Sequence, residues 1–513
     1  MKSPFAILLA LLAPCCGQVA TAVDRPNIVL IFADDLGYGD VGCYGSKLVP
    51  TPAIDSLARG GVRCTDGYVT APVCAPSRCG IMTGAYNQRF GMQWNDDRRK
   101  YSVGQHKLLP QALRAAGYVT GHVGKWNIPV DPKDCFDEIH DLIDWEADFF
   151  PDKNGHYHGV DSDTEFASSK VQGVWGPERP GDEYLTDRIG RHAVEFITKH
   201  KRRAKPFFLY LAFNAVHSPW HGKKQFQARF DKLMPPLSYY AAMIASMDEN
   251  IGRVLAALPK NTLVAFTSDN GPAMGSSRIV VWPEGWPEKI LVGSAGPLNG
   301  HKAQFLEGGI RVPFLVRWPG QLKAGSVYRQ PVSTMDLYAT FCAAAGAAVP
   351  EGTKLDGVNL LPFLTGKNTG APREILFWKN GEDGAVRHGD WKLFLSSSEP
   401  KRQLFHLGED IGEQRDLAGE KPDIAQRLHK AWQDWSATVP PRANPPPAKG
   451  KSTQDRPAIF KTKDKDRDGK LTREEFLANQ QDPKTAKLRF DQWDTDKDGF
   501  LNLEEFVNMG SKR

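Results

Sequence analysis

Three groups of residues have types and spacings suited to chemistry. Asp34-Asp35 and Asp269-Asn270 each follow a short apolar run. Their side-chain oxygens are hard donors of the kind calcium or magnesium takes. The same pairs also serve as turns or helix caps. Cys74-Ala75-Pro76-Ser77-Arg78, followed by Met82-Thr83-Gly84, sets a sulfur nucleophile beside a proline turn. Alone, it fits either a reactive side chain or a buried or disulfide-bonded cysteine. The third group is a pair of acidic loops near the C-terminus. Asp464, Asp466, Asp468 and Glu475 stand at loop positions 1, 3, 5 and 12, with Gly469 at 6. Asp494, Asp496, Asp498, Gly499 and Glu505 repeat that spacing. Alternate carboxylates can curl around one cation, the glycine makes the sharp turn, and the last glutamate closes the site.

Something must bring the first two groups together. Residues 26–32 (PNIVLIF), 206–213 (PFFLYLAF) and 263–267 (LVAFT) are continuous apolar runs. Such runs suit strands buried on both faces of a parallel sheet. They end at Asp34-Asp35, near His217, and at Ser268-Asp269-Asn270. Residues 109–116 and 238–258 read as helices between them. This alternation predicts an α/β unit with a mainly parallel sheet, whose ligands gather at the carboxyl ends of strands. From about residue 355 the pattern shortens: 374–378 and 391–395 read as strands and 422–435 as a helix. That predicts a smaller antiparallel subdomain closed by a helix. Residues 440–452 (PPRANPPPAKGKS) form an extended linker, and a compact module follows from Arg456.

The chain has 513 residues, enough for several domains. A formal charge of +5 is too small a bias to imply nucleic acid or a membrane surface. Lys2, the apolar run 5–13 and Ala20-Thr21-Ala22 predict a signal peptide cleaved near Ala22, hence a secreted or periplasmic protein without stable membrane insertion. Six cysteines follow that point; export permits disulfides, but their connectivity cannot be read from spacing.

The Cys74 segment resembles the C-x-P-S-R…T-G signature of the formylglycine-dependent (type I) sulfatases. Residues 27–40, 51–65, Gly124-Lys125-Trp126, His217-Ser218-Pro219, Ser268-Asp269-Asn270-Gly271, Lys302 with Glu307-Gly308-Gly309, and Leu355-Asp356-Gly357 look like further landmarks of that family, in its order. The resemblance implies an alkaline-phosphatase-like sulfatase fold with a smaller C-terminal antiparallel subdomain. The implied spans are 1–22 signal peptide, 23–350 catalytic domain, 351–439 C-terminal subdomain, 440–455 linker, and 456–513 an appended α-helical module. That module's two loops resemble an EF-hand pair holding two calcium ions.

The resemblance also implies the site. A maturation enzyme converts Cys74 to formylglycine, whose hydrate is a gem-diol. Asp34, Asp35, Asp269 and Asn270, with residue 74, hold one calcium ion. One hydroxyl attacks sulfur with help from Asp269, His217 and Lys302 protonate the departing alcohol, and the second hydroxyl releases sulfate from a sulfated hemiacetal. Arg78, Lys125 and Lys302 stabilise charge on the sulfate oxygens. Three carboxylates, a dication and three cations sum to roughly +2, a favourable field for a monoanionic ester. Asn127 departs from the pattern, which has histidine there; an amide can contact sulfate but cannot act as a base. The expected substrate is a sulfated carbohydrate. Trp94, Trp145, Trp282 and Trp286, in segments expected to line the mouth, could stack on sugar rings. A phosphate esterase on the related scaffold and a catalytically dead glycan binder are the competing classes.

Overall fold

The computed structural model describes residues 25–100, 102–152, 155–161, 178–179, 181–276, 289–398, 400–442, 456–478 and 483–508. The predicted signal segment, residues 443–455 of the linker, Trp282 and Trp286 lie outside them. The chain divides into two units, residues 1–443 and 444–513.

The first unit is organised by eight strands: β1 (Asn27–Ala33), β2 (Val62–Cys64), β3 (Val119–Lys125), β4 (Glu138–Ile143), β5 (Phe207–Ala212), β6 (Thr262–Ser268), β7 (Phe314–Arg317) and β8 (Ser326–Tyr328). Their spatial order is β8-β2-β7-β6-β1-β5-β3-β4. All adjacent pairs are parallel except those made by β7, which runs antiparallel between β6 and β2. β1 lies mid-sheet, and Ile28 to Phe32 are fully buried. Burial of each such side chain contributes about 1.5–3 kcal/mol.

The strand period of two sends these residues to opposite layers. Val29 and Ile31 pack with α1 (Pro52–Arg59), α4 (Leu185–His200) and α5 (Leu237–Ala257). Ile28, Leu30 and Phe32 pack with α2 (Cys74–Thr83), α3 (Leu109–Ala115) and α6 (Asp336–Ala345). A second sheet, β9 (Ile375–Asn380), β10 (Asp383–His388), β11 (Trp391–Leu395) and β12 (Arg402–His406), is an antiparallel meander. One face, with Val386, Leu393 and Leu404, packs on α7 (Pro422–Ser436). The other presents Trp378 and Ala385 to Tyr68, Val312 and Met335.

The second unit contains α8 (Arg456–Lys463), β13 (Lys470–Thr472), α9 (Arg473–Leu477), α10 (Pro483–Trp493), β14 (Phe500–Asn502) and α11 (Leu503–Asn508). β13 and β14 pair antiparallel with Leu471 opposite Leu501. Those leucines, Phe460, Phe476, Phe490 and Phe506 form its core. The six described cysteines are all free thiols. Among the described residues no helix is long and apolar enough to cross a membrane.

Candidate active site

Sheet register brings the acidic pairs together. Ala33 at the end of β1 faces Ser268 at the end of β6, so Asp34-Asp35 and Asp269-Asn270 leave adjacent parallel strands side by side. β5 flanks β1 on the other side and feeds the loop to His217, while β3 ends on Lys125. Backbone bonds fix these exits: Asp34 N–H donates to Ala215 O at 3.1 Å and Asp269 N–H to Ala33 O at 3.2 Å.

Cys74 is the first residue of α2, at the positive end of the helix. Pro76 falls in the first turn, where no backbone donor is needed. Ala75 N–H finds the Asn95 side-chain oxygen at 3.1 Å. The helix stops at Gly84, whose φ of +65° suits a residue without a side chain. Thus the two ends of the motif are the start and stop of one helix. Cys74 and Arg78 share a face at a spacing of four.

The side chains converge as follows. Cys74 Sγ lies 3.6 Å from Asp34 Oδ1. Ligand atoms of Asp34, Asp35, Cys74 and His217 all lie within 4.8 Å of one another. Lys125 Nζ pairs with Asp34 Oδ2. Lys302 Nζ reaches Asp35 Oδ1 at 2.7 Å. The Arg78 guanidinium donates to Asp269 Oδ2 at 2.9 and 3.0 Å and to Lys125 O at 2.9 Å. Asn270 Nδ2 donates to Asp35 Oδ1 at 2.7 Å, and Asp35 N–H donates to Asp269 Oδ1 at 3.1 Å. His217 Nδ1 donates to Ser218 O at 2.7 Å, since a carbonyl only accepts; Nε2 therefore faces Asp35 Oδ2 at 3.7 Å.

Burial alone would raise the Asp34 carboxyl, but Lys125, His217 and Arg78 outweigh it and hold the group well below the ordinary range. Asp35 is likewise lowered, by Lys302 and His217 against burial. Asp269 goes up, from burial and the Asp34 charge. Burial also pushes the Cys74 thiol far up, so as a plain thiol it stays protonated.

Above this cluster is a pocket of about 450 Å³. Of the sequence-predicted residues, Asp35, Cys74, Lys125, Asn127, His217, Lys302, Trp94 and Trp145 line it. Asp34, Arg78, Asp269 and Asn270 are fully buried and are not among the lining residues. Arg78 is thereby committed to Asp269 and to the Lys125 carbonyl. Asn127 takes a left-handed φ of +56°; its Nδ2 donates to Asp144 O at 2.6 Å, and its buried Oδ1 has no hydrogen-bond partner among the described residues. His122 is buried away from the pocket, stacked on Tyr210 and Phe136.

Sequence reading missed Glu146, His301 and Trp220, which also line the pocket. They are single residues in irregular segments, without a spacing to mark them. His301 adjoins Lys302, and its Nδ1 donates to the Lys302 carbonyl at 2.8 Å.

Two glycines let the loops close. A Cβ at Gly271 would stand 1.7 Å from Gly308 O, and one at Gly309 would stand 2.0 Å from Gln304 O. Gly271 N–H donates to Gly309 O at 3.1 Å. Hence Gly271→Ala is expected to cost about 1–3 kcal/mol by overpacking. It should also displace Asn270 and lower activity; thermal unfolding and hydrolysis rates check both.

In the second unit, side-chain oxygens of Asp464, Asp466 and Glu475 cluster, as do those of Asp494, Asp496 and Glu505. Asp468 and Asp498 accept the backbone N–H of Lys470 and Phe500 at 2.8 and 2.9 Å, stabilising each turn. Gly469 and Gly499, at φ +84° and +86°, make the bends that a side chain would strain.

A family model described as Sulfatase matches residues 26–347. A second, N-sulphoglucosamine sulphohydrolase, C-terminal, matches 301–435, and an EF hand model matches 458–478 and 487–509. The chain is 34% identical to N-acetylgalactosamine-6-sulfatase from Homo sapiens, over 80% of this chain and 84% of that one. It is 32% identical to arylsulfatase A from Homo sapiens, over 83% and 90%. The solved structure of Ps i-CgsB in complex with k-i-k-neocarrahexaose superposes with a TM-score of 0.68 at 32% identity, covering 82% of this chain and 94% of that one.

Proposed function

The chain belongs to the sulfatase family and is a sulfuric ester hydrolase, and we propose that it desulfates a carbohydrate using formylglycine at position 74 and one calcium ion. The observation that carries this reading is the cluster of Cys74, Asp34, Asp35 and His217 beneath a pocket bearing Lys125 and Lys302. The carbohydrate reading rests on relatives whose names specify N-acetylgalactosamine-6-sulfate and a bound neocarrahexaose, and on Trp94 and Trp145 at the pocket.

Asp34, Asp35, Asp269 and Asn270 would hold the ion, with the residue 74 side chain completing the set. The fit is supported by Asn270 Oδ1, a buried acceptor without a hydrogen-bond partner among the described residues, in an all-oxygen protein donor set suited to a hard cation. When present, the cation polarises a sulfate oxygen, and formylglycine offers two hydroxyls on one carbon, one to attack sulfur and one to expel sulfate.

The chain's own residues do the rest. Lys125 and Lys302 bind and neutralise sulfate oxygens. Arg78 holds Asp269 in the orientation needed to take a proton from residue 74. His217, with Nδ1–H fixed on Ser218 O, presents Nε2 to the departing alcohol and protonates it together with Lys302. Asn127 keeps one amide N–H for the ester while its other role is to brace the Asp144 segment.

The test is a panel of sulfated sugars offered to protein matured by a formylglycine-generating enzyme, with matched phosphate esters as controls. Sulfate release from at least one sugar, well above phosphate release, is expected. Hydrolysis of the phosphate esters alone would contradict the reading.

The same reading makes residues 1–22 a cleaved signal peptide and the protein secreted or periplasmic. It divides the mature chain into 23–350, 351–439, a linker 440–455 and the EF-hand pair 456–513. Each EF-hand would hold one calcium, through Asp464, Asp466, Asp468 and Glu475, and through Asp494, Asp496, Asp498 and Glu505. Calorimetric titration of the full chain should show these two sites besides the catalytic one. Glu475→Gln and Glu505→Gln should each weaken one by about tenfold or more, because the bidentate closing ligand is lost.

A further inference from the structure

One carboxylate in the pocket has no task in the chemistry above. Glu146 lines the same cavity as Cys74, Lys125 and Lys302. Its carboxylate has no hydrogen-bond or ion-pair partner among the described residues. A half-buried anion beside a sulfate-binding site opposes the net attraction that brings the substrate in. It therefore needs a compensating use.

The backbone holds Glu146 firmly. On one side, Trp126 N–H donates to Ile143 O at 2.8 Å, and Asn127 Nδ2 donates to Asp144 O at 2.6 Å. On the other, Ala147 and Phe149 are buried in the core, and Asp148 N–H donates to His158 O at 3.0 Å. Gly159, at φ +85°, passes so close that a Cβ there would stand 2.0 Å from Glu146 O. A loop tied at both ends fixes the place from which the Glu146 side chain leaves the backbone at the pocket wall. Trp145 and Trp94 also line this pocket, offering faces on which a sugar ring can stack. At about 450 Å³ the cavity suits a small ligand rather than a bare anion.

We propose that Glu146 is a specificity residue, which accepts hydrogen bonds from free hydroxyls of the sugar bearing the scissile sulfate and repels a second anionic group on that ring. This rests on the sulfatase reading of the site. The other charged or titratable groups lining the pocket among the described residues are Asp35, Cys74, Lys125, Lys302, His217 and His301. The lysines serve the scissile sulfate. A carboxylate–hydroxyl bond is charge-assisted and stronger than a neutral one, and an approaching second sulfate meets a like charge at short range. The preferred substrate is thus a sugar ring with one sulfate and neighbouring free hydroxyls.

The test uses the full-length matured protein and its Glu146→Gln variant, with the same sugar carrying one sulfate or two. The parent is expected to favour the monosulfated sugar in kcat/KM. Glu146→Gln is expected to shrink that preference by about tenfold or more, chiefly through KM. Titration of both sugars into Cys74→Ala, with and without Glu146→Gln, should show the same change as a ratio of Kd values. A preference unchanged by Glu146→Gln, with both sugars weakened equally, would overturn the proposal and leave the sulfatase reading intact. A parent inactive on every sulfate ester would instead overturn the reading on which it rests.

Discussion

Cys74→Ala should lower kcat/KM for sulfate ester hydrolysis by about 10⁴-fold or more, with little change in thermal stability. Under the proposed mechanism the substitution removes the nucleophile, and loss of a nucleophile leaves only binding and electrostatic stabilisation. Lys125, Lys302 and His217 would still surround the ester, so substrate affinity should survive. The alanine side chain fits the space left by a buried cysteine without a new polar group. Cys74→Ser separates the two halves of the reaction. A serine hydroxyl can receive the sulfuryl group but has no second hydroxyl on that carbon. One equivalent of alcohol per protein, followed by arrest, is expected in a rapid-quench experiment. Full activity in Cys74→Ala would remove residue 74 from the mechanism.

Lys392→Met should be the largest stability loss outside the site. Lys392 on β11 is wholly buried, with Nζ 2.8 Å from Glu307 Oε1 and 2.8 Å from Glu413 Oε1. Tyr68 OH donates to Glu307 at 2.6 Å, and Arg311 lies at 3.2 Å. Arg387 and Arg311 in turn hold Asp66 at 2.7 and 3.0 Å. Deleting the ammonium leaves two carboxylates facing each other away from water, at a cost of about 3–5 kcal/mol. Thermal or denaturant unfolding reads this directly.

The deficit should also depend on pH. Burial raises the Glu307 carboxyl, but Lys392, Arg311 and Arg387 win and bring it down to about 2. Glu413 moves the other way, to about 7, from burial and the Glu307 charge despite Lys392. A carboxyl raised in the fold contributes stability below its unfolded value and loses it as pH rises through the folded one. In the variant Glu413 can take a proton and bond to Glu307, so the deficit should shrink on going from about pH 8 to about pH 5. A deficit that is small, or that grows on acidification, would contradict the network.

Glu307-Gly308-Gly309 was visible in the sequence as a landmark, but Lys392 and Glu413 were not. Their meeting depends on how the second sheet docks, and nothing local marks a lysine in a short strand as buried. The central strands were legible because a strand buried on both faces must be apolar throughout, as β1, β5 and β6 are. The antiparallel course of β7 was not, because a four-residue apolar strand carries no sign of direction. The acidic pairs were legible as strand-end groups, since register then fixes their neighbours. Arg78's commitment to Asp269, and the presence of Glu146, His301 and Trp220 in the pocket, depend on side-chain packing across long separations. The acidic loops were the easiest to read, because ligand geometry dictates every position within twelve residues.

The central claim is that the working side chain at position 74 is an aldehyde hydrate and not a thiol. The direct measurement is the mass of the peptide containing residue 74, taken from purified protein that is releasing sulfate from its sugar. An aldehyde in place of the thiol, trapped by a hydrazide reagent in proportion to activity, is the expected result. An intact cysteine throughout an active preparation would contradict the account.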